Sequence, residues 1–237
     1  MLTRRSAVLA VTFPSLMLFS GCDREWGPPG PSHTETQSIE LDKSESVSVE
    51  LKMGAGELRV RGGSPKLMEG EFTYRRLRMR PQIHYDSGGF HGRLAVEEAP
   101  GVHSAESRYR WDLAFNDGKP LDLDIDFGAG EGRLDLGSLS LRRVDIRMGV
   151  GELRIDLRGE PKNDYTVSIH GGVGEATIYL PENVGVIADA RGGIGDIHAR
   201  GLQNRDGRYV NAAYGRAKTT VLLEIRGGIG AINLIGD

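Results

Sequence analysis

Apolar and polar residues alternate along most of this chain beyond residue 40, and the alternation breaks at six places on the same short motif. The motif is a glycine corner: Gly54-Ala55-Gly56, Gly128-Ala129-Gly130, Gly149-Val150-Gly151, Gly172-Val173-Gly174, Gly193-Ile194-Gly195 and Gly228-Ile229-Gly230. Apolar residues stand at every second position before each corner and again after it. That is the pattern of two half-buried strands joined by a tight bend. Gly128 to Gly149 spans 21 residues, Gly149 to Gly172 spans 23 and Gly172 to Gly193 spans 21, so one coil takes about 22 residues, a solenoid period. The 35 residues from Gly193 to Gly228 read as one coil carrying an insertion.

Aligned on the corners, the inward positions fall into register. Val49, Leu51 and Met53 match Leu123, Ile125 and Phe127, then Val144, Ile146 and Met148, and the same series continues to Leu223, Ile225 and Gly227. After the corners come Leu58 and Val60, Leu153 and Ile155, Ile178 and Leu180, and Ile232 and Leu234. One coil cannot bury its own inner face, so successive coils must stack. The expected fold is therefore all-β: a single-domain parallel β-solenoid, like a β-helix or β-roll, with coils of about 22 residues. The inward position beside the corner changes from Met53, Phe127 and Met148 to Gly171, Gly192 and Gly227, which predicts a core narrowing toward the C-terminus.

From Lys66 to Lys119 the corner is missing. Ile83 and Tyr85, a Gly88-Gly89 turn, then Leu94 and Val96 predict one antiparallel hairpin, and Trp111 to Phe115, Asn116-Asp117-Gly118 and Leu121 predict a second. The stretch 201–217, rich in Asn, Arg, Gly and Tyr, predicts a protruding loop.

The first residues do not fit the fold. Arg4 and Arg5 precede an apolar run from Ala7 to Phe19, broken by Pro14 and too short to remain as a spanning helix. Residues 1–21 are thus expected to be a cleaved signal. Phe19-Ser20-Gly21-Cys22 resembles a lipoprotein processing site, making Cys22, the only cysteine, the expected lipidated residue. Residues 22–38, with Gly27-Pro28-Pro29-Gly30-Pro31, read as a tether, and 39–237 as the solenoid. The chain is expected to be exported and attached through its N-terminal lipid to a bacterial membrane. Loss of Arg4 and Arg5 takes the formal charge from −3 to −5, which disfavours nucleic acid as a partner.

Charge follows the repeat as well. Glu57, Glu131, Glu152, Glu175 and Asp196 each stand directly after a corner, with Ala231 in the sixth place. Lys52, Arg147, His170, Arg191 and Arg226 stand two residues before the corners, with Asp126 in that column. Equivalent residues in a stacked sheet lie about 4.8 Å apart, so these are ladders. The plain expectation is that the basic column neutralises the acidic one; the sharper one is that the five acidic residues form an interaction edge for a partner or a cation.

No recognisable catalytic constellation or cofactor is expected. The corners do not complete a dinucleotide fingerprint, the histidines lack zinc spacing, and Asp122, Asp124 and Asp126 sit about 7 Å apart on one strand face, too far to share one ion unaided.

The run Pro120 to Ile125 followed by Gly128-Ala129-Gly130 and Leu134-Asp135-Leu136 resembles the toast-rack domains of bacterial envelope proteins, relatives of the Lia-type cell-wall stress regulators. Gly54 to Leu58, Gly62-Gly63, Gly70 with Phe72 and Tyr74, and Trp111 with Leu113 carry the same resemblance over most of 40–237. It implies an exported β-solenoid without known catalytic residues. The expected function is a lipid-anchored, non-enzymatic interaction module for an envelope protein or wall component, in the setting of envelope stress. The alternatives are a polysaccharide-binding or polysaccharide-active β-helix, which needs a groove with clustered carboxylates and aromatics, and a surface adhesin.

Overall fold

Five strands of 15 or 16 residues each carry a glycine corner near their middle, and their parallel pairing resumes in the same register beyond the bend. The computed structural model describes residues 31–99 and 109–236. The expected signal 1–21, Cys22 and His103 lie outside the described residues. In chain order the strands are β1 His33–Ile39, β2 Ser46–Arg61, β3 Met68–Tyr74, β4 Gln82–Asp86, β5 His91–Glu97, β6 Arg110–Phe115, β7 Leu121–Asp135, β8 Leu141–Asp156, β9 Tyr165–Tyr179, β10 Gly185–Arg191, β11 Ile197–Arg200, β12 Gln203–Arg205, β13 Arg208–Val210 and β14 Thr220–Ile235. One 3₁₀ turn covers Leu77–Met79.

The two glycines of each corner are needed for different reasons. The second, at Gly56, Gly130, Gly151, Gly174, Gly195 and Gly230, has φ between +130° and +144°, which side-chain-bearing residues rarely adopt. The first stacks backbone on backbone: a Cβ on Gly128 would land on the Gly54 carbonyl, one on Gly149 on that of Gly128, and one on Gly172 on that of Gly149.

Each bent strand forms two walls of a coil with its apolar residues between them. Val47, Val49, Leu51 and Met53 line one wall and Leu58 and Val60 the other, all at most 2% exposed. The chain returns through turns whose own apolar residues, Leu136, Leu139, Leu157, Leu180 and Val184, close the third side. These turns continue the ladder, with Leu136 N donating to Asp156 O and Leu157 N to Tyr179 O, both at 2.9 Å.

Coil order departs from chain order at both ends. The spatial sequence is β5 with β6, then β2, β7, β8, β9, β14, and finally β10 with β11. The first and last complete coils in sequence, β2 and β14, are therefore interior. The coils placed outermost are those split into two separate strands, which suits a position where one side alone must be paired. Antiparallel strands then cover their edges: β3 and β1 on β6, β4 on β5, and β13 and β12 on β10.

Four expectations are corrected by this arrangement. The second predicted hairpin does not form, because β6 and β7 pair with opposite edges of β2 and the turn at Asn116 to Lys119 crosses over it. The stretch 201–217 does not protrude as a loop. It returns as β12 and β13, held by buried Asn211, whose amide accepts from Val186 N at 2.9 Å and donates to Val184 O at 2.7 Å and Pro181 O at 3.1 Å. The sheet begins inside the segment read as tether, since His33–Ile39 pairs along its whole length with β3. Finally, the corner does not close up toward the C-terminus. Its backbones are fixed by stacking, so Gly171, Gly227 and Gly192 leave a cleft of about 40 Å³ against Met148, Leu153, Ile169 and Ile225. The first hairpin, β4 with β5, forms as expected.

Substitutions at two glycines separate these roles. Gly174→Ala is expected to cost at least about 2 kcal/mol, from its positive φ and the Gly151 carbonyl in the way. Gly171→Ala, whose Cβ would meet nothing within 4 Å, is expected to leave stability unchanged or raise it by up to about 1 kcal/mol. Denaturant midpoints of the two variants check this order. In the walls, buried Ile155→Ala or Ile178→Ala should cost about 2 to 5 kcal/mol, against less than about 1 kcal/mol for exposed Arg154→Ala.

Candidate functional site

The corner divides the outer surface into two walls, and each carries its own charge ladders. On the wall after the corner, Glu57, Glu131, Glu152 and Glu175 are consecutive partners in the parallel register. Because β14 inserts before the last coil, Ala231 follows Glu175 and separates it from Asp196. The structure thus brings together four of the five expected edge residues and sets Asp196 apart.

Neutralisation of this ladder stops halfway. Glu57 is paired with Arg59 at 2.5 Å and Arg110 at 2.7 Å, and Glu131 with Arg133 at 2.9 Å. Among the described residues Glu175 accepts from neutral donors alone, Asn233 Nδ2 at 2.6 Å and Thr177 Oγ1 at 3.4 Å. Glu152 and Asp196 have no ion pair among the described residues. Burial pushes the Glu57 carboxyl up, but the Arg110 and Arg59 guanidiniums outweigh it and hold the group below the usual carboxylate range.

The basic column before the corner does not serve this ladder, contrary to expectation, because it lies on the other wall. There it faces a second acidic ladder, Glu50, Asp124 and Asp145, then Ser168, Glu224 and Asp189, four residues before each corner. Lys52 pairs with Glu50 at 2.6 Å, Arg147 with Asp124 at 2.5 Å and also with Asp126, while Arg191 and Arg226 share Asp189 at 3.1 and 3.2 Å. Asp122 is taken by Arg142. The sequence carries this ladder in the position four residues before each corner.

Where β4 and β5 extend the same wall, it becomes a groove of about 670 Å³. Asp86 and His84 of β4, Arg93 of β5, Glu50 of β2, Asp124 of β7 and Arg143 with Asp145 of β8 line it, with Tyr85 at its side. His91 of β5 is held on β2, with Nδ1 at 2.8 Å from Ser46 Oγ and Nε2 at 2.8 Å from Oγ of Ser48, itself a lining residue. That cluster depends on β5 lying parallel beside β2, for which the sequence carries no local sign. Tyr109, Trp111 and Phe115, the aromatics considered for a sugar groove, are core residues at most 1% exposed, with Trp111 edge-on to Phe72 and Tyr109 at 5.8 Å.

A third feature runs along the corner itself. Its middle residues form one ladder, Ala55, Ala129, Val150, Val173, Ile229 and Ile194, at the ridge between the walls. The last four are exposed large aliphatics.

Comparison with known proteins agrees with this architecture. Residues 28–179 match the model of the N-terminal domain of toast-rack proteins, and residues 129–234 match the C-terminal domain of LiaF, described as a cell wall-active antibiotics response protein. A candidate cell adhesion protein of known crystal structure from Clostridium sporogenes is 32% identical, with a TM-score of 0.82 over 87% of this chain and 100% of its own. A candidate adhesin from Bacteroides fragilis is aligned over 87% of this chain and 99% of its own at 10% identity, with a TM-score of 0.34. No curated protein matches the chain.

The ion pairs of Glu57 generate a pH dependence. Its folded pKa lies below the ordinary value of 4.5, so the stability it contributes is present above that pH and is lost as pH falls through the folded value. Glu57→Gln is expected to flatten the loss of stability between about pH 5 and pH 3. Denaturation midpoints measured across that range check it; an identical acid limb in variant and wild type would falsify the assignment.

Proposed function

Because the chain belongs to the toast-rack family, we propose that it is a non-enzymatic interaction module of the cell envelope, held at a membrane by lipidated Cys22 and engaging a wall component or an envelope protein through the groove between β4 and β8. The observation that carries this reading is the groove: about 670 Å³, lined by carboxylates and guanidiniums set on paired strands. A site on strands holds its geometry better than one on loops, and its volume lies in the range of ligand clefts. Ligands bearing both amines and carboxylates complement such a lining. The similarity to LiaF and to a candidate adhesion protein supports a place in the envelope and in its stress response.

Support for the anchor comes from the sequence: Arg4 and Arg5, the apolar run to Phe19, and Ser20-Gly21-Cys22. No helix among the described residues is long and apolar enough to cross a membrane. A polysaccharide is the second reading, favoured by Tyr85 and His84 beside the groove carboxylates.

Two measurements test the proposal. Cys22→Ser is expected to move the protein from the membrane to the soluble exported fraction and to end incorporation of labelled fatty acid. Reversing groove charges with Asp145→Arg and Arg93→Glu is expected to weaken co-sedimentation with isolated wall or envelope fractions at least about tenfold, a change of ~1.4 kcal/mol. Unchanged binding by a folded double variant would remove the groove from the proposal.

A further inference from the structure

Arg75, Arg76, Arg78 and Arg80 stand within one stretch of six residues, in a chain whose formal charge is −3. They surround the 3₁₀ turn Leu77–Met79, which carries the chain from β3 to β4. The turn is fastened from beneath. Met79 is 2% exposed, its carbonyl accepts from Tyr109 Oη at 2.9 Å, and Pro81 behind it is buried. With Met79 in the core, Leu77 stands in solvent at 72% exposure, between Arg76 and Arg78.

Positive charge is in surplus here. Arg80 is paired with Glu35, whose other oxygen accepts from Tyr74 Oη at 2.8 Å. Arg75 and Arg78 have no ion pair among the described residues. Glu71, the next carboxylate back along β3, is four residues away, roughly 13 Å of extended chain.

The segment expected to tie the fold to a membrane enters at the same place. β1 begins at His33, whose register partner is Tyr74 at the end of β3, and the two rings lie 6.1 Å apart. Tyr74 leads directly into the arginine turn. Cys22 is 11 residues from His33, a reach of at most roughly 36 Å, so a lipid on Cys22 keeps the turn close to the bilayer. We propose that the turn from Arg75 to Arg80 is a membrane-docking surface, with Leu77 entering the interface and Arg75 and Arg78 meeting the phosphates of anionic phospholipids. Guanidiniums match phosphate geometry, the anionic leaflet attracts them, and an apolar side chain among basic ones suits the headgroup boundary. A soluble polyanion would satisfy the arginines but leave Leu77 in water. The inference rests on the proposed anchor at Cys22 and adds an orientation to it: β1, β3 and β6 lie toward the bilayer, and β10, β13 and β12 away from it.

Vesicle co-sedimentation of the chain carrying Cys22→Ser tests this, because the fold begins at His33 and the variant lacks only the acyl group. Vesicles of phosphatidylcholine mixed with phosphatidylglycerol are expected to bind it at least about tenfold better than vesicles of phosphatidylcholine alone. Added salt is expected to weaken that binding. Arg75→Glu with Arg78→Glu should lower binding to the mixed vesicles at least about tenfold, and Leu77→Ser alone should also lower it. Arg205→Glu with Arg208→Glu, the same charge change at the far end of the stack, should leave it nearly unchanged. The near-ultraviolet signal of buried Trp111 verifies the fold of each variant. Equal binding to both vesicle types, full binding by either turn variant, or an equal loss from the distant pair would overturn the proposal. Fatty-acid labelling of the wild type reads the anchor separately. No label with intact vesicle binding removes Cys22 and leaves the docking surface, whereas label without vesicle binding does the reverse.

Discussion

Direct stacking of bare backbone at the glycine corner is the contact on which the rest of this molecule depends. A long strand can turn sharply without losing its ladder only if one residue accepts a φ near +140° and another lets the next coil approach to backbone contact. Both requirements recur through the six coils that carry the motif, so their corners align into one ridge and hold those coils in register. That register places Val49 over Leu123 and Ile155 over Ile178, and the core follows from it. The same rigidity explains the cleft beside Gly171: a corner fixed by its backbone cannot collapse when a side chain is removed from beneath it.

A solenoid solves its interior by repetition and then has to finish its ends. Here both ends are finished by exchanging order. The complete coils β2 and β14 lie inside and the interrupted ones outside, where hairpins and a folded-back insertion pair with the exposed edges. Buried Asn211 shows the local cost of such a cap, since its amide takes over backbone groups at Pro181, Val184 and Val186 that the ladder leaves unpaired. At the N-terminal end the same task falls to aromatics, with Phe72, Tyr109 and Trp111 filling the space between the last coil and its covering strands.

The corner also separates the electrostatics into two independent surfaces. The wall before it is internally neutralised, acidic ladder against basic ladder, and widens into the groove beside β4. On the wall after it, the glutamate ladder beside the corner is ion-paired among the described residues only in β2 and β7, by Arg59, Arg110 and Arg133. Charges that are neighbours in sequence, such as Arg147 and Glu152, are thus on different faces and act on different partners. A scaffold of this kind offers several surfaces of fixed geometry.

What the sequence determined by itself is the repeated unit. Period-two alternation and paired glycines are local properties, and they specify the bent strand, its inward residues, the stacking and the first hairpin. Most inward residues read from the alternation are buried, and Glu57, Glu131, Glu152 and Glu175 form the expected ladder. Only the tertiary structure decided the order of the coils, because every coil presents nearly the same edge and no local signal distinguishes Tyr165–Tyr179 pairing with Gly185–Arg191 from its pairing with Thr220–Ile235. From that order came several features that the alternation does not encode: the crossover at Asn116 to Lys119, the capping hairpin at Gln203–Val210, the isolation of Asp196, and the meeting of His91 with Ser46 and Ser48. The partners of the basic column were likewise undecidable from spacing, since a bend between two residues sets which wall each faces and spacing alone does not record the bend.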